Sequence, residues 1–195
     1  GSLSHMVPIL KGKDKVNPAM VPSGERIAKA LNEQASIFDE ESCDLILLEM
    51  MYSPERMLIA LEAATRTNIP VWAGLSARRL ENNKLVSYDE TVEVELGMLV
   101  ESCAKYDIDA IGIMHTQVHL IDDCIKIIRE GWDGLIYCYP DSGYFQMPNW
   151  QFKNIIAPKK LEEFALKWVQ SGATAIGGCC GLSPQHISAL RGLKK

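Results

Sequence analysis

Short apolar runs alternate with amphipathic stretches along most of this chain. Residues 44–51 (Asp-Leu-Ile-Leu-Leu-Glu-Met-Met) place four aliphatics in a row, the pattern of a parallel strand buried on both faces. Comparable runs occupy 71–76 (Val-Trp-Ala-Gly-Leu-Ser), 108–115 (Ile-Asp-Ala-Ile-Gly-Ile-Met-His), 134–140 (Gly-Leu-Ile-Tyr-Cys-Tyr-Pro) and 174–180 (Thr-Ala-Ile-Gly-Gly-Cys-Cys). The stretches between them carry helical spacing and helix punctuation. Ser23 caps a helix over 24–39, whose apolar face is Ile27, Ala30, Leu31, Ala35 and Ile37. Pro54 takes the first position of a helix over 53–65, where a missing N–H costs nothing. Further helices are predicted over 89–105, 118–129 and 158–170, the last stopped by Ser171-Gly172, and Ser183 caps a final one. Residues 7–24 lack periodicity and read as a loop, 81–84 as a polar turn, and Tyr144, Phe145, Trp150 and Phe152 form an aromatic stretch.

Five strand-then-helix units in regular alternation predict an α/β fold with parallel strands and right-handed crossovers. Their spacing fits a (βα)8 barrel or an open doubly wound sheet. Neither Gly-x-Gly-x-x-Gly nor a phosphate-loop motif occurs, so the common nucleotide-binding readings fall away.

The composition narrows the partners. The chain has 195 residues, 47% hydrophobic and 23% charged, as expected of a single globular domain. Its net charge is −5 with no basic block, which argues against nucleic acid and anionic membrane surfaces. No apolar run approaches the roughly 18 residues of a membrane span. The N-terminus lacks the charged-then-apolar order of a secretion signal. Six cysteines without scaffold spacing read as reduced thiols in a cytoplasmic protein.

Chemistry concentrates near the C-terminus, at Ala175-Ile176-Gly177-Gly178-Cys179-Cys180-Gly181. Adjacent cysteines make a poor disulfide, because bridged Cα atoms usually sit about 4.4–6.8 Å apart and neighbours across a trans peptide only about 3.8 Å. Two vicinal thiols can instead share one soft metal, zinc first among them. Packing as two small buried hydrophobes is the competing account. In a parallel α/β fold, reactive groups gather at the C-terminal ends of strands. Those ends carry Glu49, Ser76, His115, Tyr139-Pro140-Asp141 and Cys179-Cys180. Thiols, an imidazole and a carboxylate at one face describe a catalytic zinc site with an open position.

This arrangement resembles the homocysteine S-methyltransferase family, zinc-dependent enzymes built on a (βα)8 barrel. Ile176-Gly177-Gly178-Cys179-Cys180-Gly181, followed by Pro184 and His186-Ile187, carries most of the likeness. The resemblance implies that Cys179 and Cys180 are zinc thiolates and that Glu49 binds the amino group of homocysteine. Tyr139-Pro140-Asp141-Ser142-Gly143 resembles the family's Tyr-Pro-Asn-Ser-Gly loop. Gly1-Ser2-Leu3-Ser4-His5-Met6 reads at first sight as an expression-tag scar, but Gly1-Ser2-Leu3-Ser4 resembles the Gly-Ser-Ile turn after the family's third strand. Gly112-Ile113-Met114-His115 stands where the family has Gly-Val-Asn-Cys. The resemblance therefore implies a Cys2His site with His115 in place of a cysteine, less negative by one charge. Met50 follows Glu49 where the family commonly has a polar residue.

A likeness that begins after the third strand implies only about the last five βα units of the barrel, forming one domain over 1–195. Such a piece belongs to a longer polypeptide or is completed by another chain, and a homo-oligomer is one way to cover its exposed sheet edges. The implied activity is zinc-dependent methyl transfer from a small-molecule donor to the thiol of homocysteine, giving methionine. A catalytically inactive or truncated homologue with a structural or empty metal site competes with it. A zinc hydrolase ranks last, because only Glu49 stands near as a general base.

Overall fold

The computed structural model describes residues 1–5, 10–11, 16–91, 93–146 and 151–193. Trp150 and much of the loop expected before residue 24 lie outside the described residues. Six parallel strands form the central sheet in the order β1 (Ser2–Ser4), β2 (Ile46–Met51), β3 (Val71–Leu75), β6 (Ala110–Gln117), β7 (Leu135–Asp141) and β10 (Ala175–Ile176). Two antiparallel hairpins join them: β4 (Ala77–Arg79) with β5 (Leu85–Ser87), and β8 (Tyr144–Gln146) with β9 (Gln151–Lys153). The helices are α1 (Gly24–Glu40), α2 (Pro54–Ala64), α3 (Leu96–Cys103), α4 (Ile121–Gly131), α5 (Pro158–Gln170) and α6 (Pro184–Ala189).

The strand order sets this sheet apart from a doubly wound one. Each successive parallel strand is added on the same side of the last. A doubly wound sheet reverses direction at a switch point; this one never does, as in a barrel. Alternate residues of each strand divide accordingly. Ile46, Leu48, Ala73, Leu75, Ile111, Ile113, Ile136 and Cys138 join the core beneath the helices. Leu47, Trp72, Gly74, Gly112, Met114, Tyr137 and Tyr139 alternate with them and line the opposite face. There Trp72 stacks on Tyr137 with centroids 5.2 Å apart, and Tyr137 meets Tyr139 at 5.1 Å. Gly112 is the residue that lets the Tyr137 ring lie across the sheet, since a Cβ at 112 would stand 2.4 Å from that ring.

Several elements differ from the sequence reading. The expected turn at Gly1–Ser4 is a strand, so the sheet has six parallel strands where five were predicted. Ser2 pairs with Leu47 and Ser4 with Glu49, and Leu3 is fully buried. A single apolar residue between two serines carries no readable period, but burial of Leu3 and the ladder to β2 hold it in place. The helix expected over 89–105 begins only at Leu96. Before it, the Ser87 N–H donates to Val94 O, and the Asp89 side chain accepts from Thr91 N at 2.9 Å, so hairpin and turn geometry claim those residues. The strand expected over 174–180 is regular only at Ala175–Ile176.

Candidate metal centre

Two strands end in the same unusual way. Met50 on β2 and His115 on β6 both adopt left-handed backbone, with φ of 56° and 45°. Strand register shifts at both places, between Leu48 and Met51 and between Met114 and Gln117. Non-glycine residues rarely adopt this conformation, and such bulges re-aim side chains beside sites. At β6 the kink is tied down by Thr116, whose hydroxyl donates to Met114 O and accepts from Ala77 N, both at 2.9 Å. His115 is thereby turned into the rim of the sheet, where it is 6% exposed.

The cysteine turn is fixed just as closely. Beyond β10, Gly177 N–H donates to Cys138 O and Cys179 N–H to Pro140 O, so the backbone keeps following β7. Ser142 N–H donates to Cys180 O. Gly181 closes the turn with φ 78°, and a Cβ there would meet Ser142 O at 2.0 Å. Only glycine satisfies both conditions.

These restraints bring three of the residues singled out from sequence into one cluster. Cys179 Sγ lies 3.9 Å from His115 Nδ1 and 3.9 Å from Cys180 Sγ, and the three ligand atoms all fall within 4.8 Å of one another. Tetrahedral zinc with Zn–S of about 2.3 Å and Zn–N of about 2.0 Å requires S···S of about 3.8 Å and S···N of about 3.5 Å. Both 3.9 Å spacings lie close to these values, so the donor set suits such an ion. The cluster also polarises its own thiols. Hydrogen bonding from Cys180, and then the His115 imidazole, bring the Cys179 thiol down to about 4 against the opposing effect of burial.

Glu49 is not part of this cluster. It lies half-buried immediately before the Met50 kink, paired in register with Ser4. Burial, and then neighbouring acidic groups that include Glu49, push the Tyr137 phenol well above its ordinary range. Ser76 is fully buried at the end of β3, and its carbonyl accepts from Tyr88 N. Of the aromatic stretch, Phe145 and Phe152 pack on each other across the β8–β9 hairpin, 5.9 Å apart.

Sequence reasoning missed a row of rings that leads to the cluster. His5 meets Tyr52 at 4.7 Å, Tyr52 meets Tyr88 at 6.1 Å, and Tyr88 meets His115 at 5.0 Å. His5 Nε2 accepts from Tyr52 N at 3.2 Å. Burial, with Arg56 nearby, lowers its pKa to about 3, so it is a neutral structural ring. The one available signal was the strand-like Leu85-Val86-Ser87-Tyr88, between the polar turn at 81–84 and the helix expected from 89.

The singly wound sheet and the thiol–imidazole cluster at its C-terminal rim define an α/β protein with a parallel sheet and a candidate metal centre. The sequence profile of the family described as Homocysteine S-methyltransferase matches residues 2–193, and the chain belongs to that family. It is 28% identical over 162 residues to a selenocysteine methyltransferase of Astragalus bisulcatus, a match covering 80% of this chain and 46% of that protein. It is 22% identical over 186 residues to betaine–homocysteine S-methyltransferase 1 of Bos taurus, covering 86% and 44%. The metallated form of the homocysteine methyltransferase MmuM from Escherichia coli shares the fold, with a TM-score of 0.68 at 20% identity over 87% of this chain and 52% of that one. The chain thus spans about half the length of the curated relatives it matches. Among the described residues no helix is long and apolar enough to cross a membrane.

Proposed function

We propose that this chain is the metal-binding part of a homocysteine S-methyltransferase, with zinc held by His115, Cys179 and Cys180. The carrying observation is the cluster of one imidazole and two thiols within 4.8 Å at the strand ends. Its family membership and its relatives' names support methyl transfer to homocysteine as the reaction; a methyl group added to that thiol gives methionine.

Zinc bound there supplies the positive charge that lowers the pKa of the homocysteine thiol from its ordinary value near 8.5. The chain's own residues do the rest. Cys179 and Cys180 are presented by a turn hydrogen-bonded to β7, so their positions are set before any ligand arrives. Glu49 accepts hydrogen bonds from the substrate ammonium, a charge-assisted contact that orients the amino acid. The methyl carbon then forms its new bond to the homocysteine sulfur as its bond to the donor heteroatom breaks. His115, neutral where the family has a thiolate, leaves the site less electron-rich by one charge. That favours acidification of the thiol and lowers its nucleophilicity.

On this reading residues 1–195 are one domain of a (βα)8 barrel whose further strands pair with the edges at β1 and β10. The remaining strands come from a longer polypeptide or from another chain, and the setting is the cytoplasm. The test is a methyl-transfer assay on the complete zinc-loaded protein, with homocysteine as acceptor and S-methylmethionine, S-adenosylmethionine or betaine as donor. Methionine formation with one of them is expected. Zinc-loaded protein that turns over none of the three overturns the assignment.

A further inference from the structure

We infer that Tyr88 is a positioning residue for His115, a ring clamp that the imidazole needs and a cysteine at the same position would not. The inference rests on the reading of His115 as a metal ligand. A thiolate sulfur accepts a metal over a wide range of angles. An imidazole nitrogen offers one lone pair in the plane of its ring, so the ring must be held in the right rotation, and the groups around a ligating histidine usually do this. Here Nδ1 faces Cys179 at 3.9 Å, and the ring is packed against Tyr88 at 5.0 Å with an interplanar angle of 71°. Rotation of the imidazole out of line would break this edge-to-face contact.

The clamp is itself braced. Tyr88 follows directly on β5, and its backbone N–H donates to Ser76 O at 2.9 Å. Ser87 before it is fully buried. On its far side stands Tyr52, at 6.1 Å and 62°, and Tyr52 rests on His5 at 4.7 Å and 82°. The His5 ring is anchored by the backbone N–H of Tyr52 and of Ser53. The hairpin thus carries a ring, backed by two others, to the one ligand whose orientation matters. Hydrogen-bonding partners that orient a ligating histidine are typically worth about 10–100-fold in metal affinity, and the ring contact is assigned the same orienting role here.

The experiment titrates purified metal-free protein with Co2+ and follows its thiolate-to-cobalt charge-transfer absorption. Tyr88→Ala should weaken Co2+ binding by about 10–100-fold and change the band, while Tyr88→Phe should stay within about twofold of wild type because the ring contact is kept. Tyr88→Leu, which preserves bulk without a ring, takes the place of Tyr88→Ala should that variant fail to fold by circular dichroism. In a His115→Cys background the loss caused by Tyr88→Ala should vanish, since sulfur needs no ring orientation. An undiminished affinity in Tyr88→Ala, or an equal loss in the His115→Cys background, overturns the clamp. Wild-type affinity and spectrum in His115→Ala would instead overturn the ligand assignment beneath it, so the two failures are distinguishable.

Discussion

Cys138 lies on β7 and Cys179 just beyond the end of the neighbouring β10, and their thiols have opposite character. Cys138 pairs in register with Ile176, three residues before Cys179. It points under the helices, fully buried, and burial pushes its thiol far up. Cys103 and Cys124 share that layer, and both are raised to about 12, by burial first in each case. Cys179 has passed the end of β10 onto the rim, where Cys180 and His115 bring it down to about 4. The difference lies in the neighbours: an apolar layer penalises a thiolate, and a hydrogen-bonding thiol beside an imidazole stabilises it. In this molecule the last few residues of each parallel strand are where packing gives way to chemistry.

The comparison breaks most readily under alkylation. At pH 7 the thiolate fractions of groups with pKa near 4 and near 12 differ by on the order of 10⁵, of which the weaker nucleophilicity of an acidic thiolate returns a part. In metal-free folded protein, iodoacetamide should modify Cys179 more than about 100-fold faster than Cys103 or Cys124. The sign of the pH dependence follows from the lowered pKa. The Cys179 rate should be flat from pH 6 to 8 and fall only as pH drops toward about 4, as read by peptide mass spectrometry. Modification of Cys103 at a comparable rate would mean that the two layers are not distinct.

Replacing one thiol from each layer sharpens the same contrast. Cys179→Ser should weaken Zn2+ binding by about 100-fold or more, since each ligand carries a share of a total near 10–16 kcal/mol. Cys103→Ser should leave Zn2+ affinity unchanged and lower stability by about 1–3 kcal/mol, the cost of a hydroxyl in an apolar site. A competition titration with a chromophoric chelator measures the first and urea unfolding the second. Equal zinc retention in both variants would misplace the metal centre.

How much of this was legible beforehand depends on the range of the interactions involved. The strand at residues 44–51 could be read because burial on both faces leaves an unbroken aliphatic run. His115, Cys179 and Cys180 could be matched because one rule of parallel folds brings strand ends together whatever the intervening sequence. Ser2-Leu3-Ser4 could not be read as a strand, since its ladder to Ser4's partner Glu49 is a long-range fact with no local signature. The stretch from Asp89 to Glu95 misled for the opposite reason. Its charged residues look helical, but the Asp89 side chain closes a turn on Thr91 and Glu95 bridges to Val86, so the helix starts only after them. Tyr88 was invisible as a site residue because its contact with His115 exists only once both the hairpin and the β6 kink have formed.

The carboxylate on the rim gives the next, smaller effect. Glu49→Gln keeps the shape and removes the charge, so its cost should be that of a hydrogen bond to a charged group, about 1.5–3 kcal/mol, or roughly a 10–100-fold rise in KM for homocysteine. Zinc affinity should not move, because Glu49 stands outside the cluster. A parallel loss of zinc in Glu49→Gln would join the two parts of the rim that the structure keeps separate.

The smallest test asks whether the face lined by Trp72 and Tyr137 is packed as tightly as the helix-covered layer. A Cβ at Gly112 would stand 2.4–2.5 Å from three atoms of the Tyr137 ring, and that ring is stacked on Trp72. Neither can give way cheaply, so Gly112→Ala should cost about 1–3 kcal/mol by overpacking. For a domain of this size each kcal/mol corresponds to about 2–4 °C in Tm. Gly97→Ala, in helix α3 with its nearest neighbour a side-chain carbon of Ile127 at 3.8 Å, should instead gain up to about 1 kcal/mol from helix propensity. Paired melts of the two variants read the difference directly. If Gly112→Ala melts with the wild type, the rings are loosely seated, and the rim stands on a face more yielding than the layer under the helices.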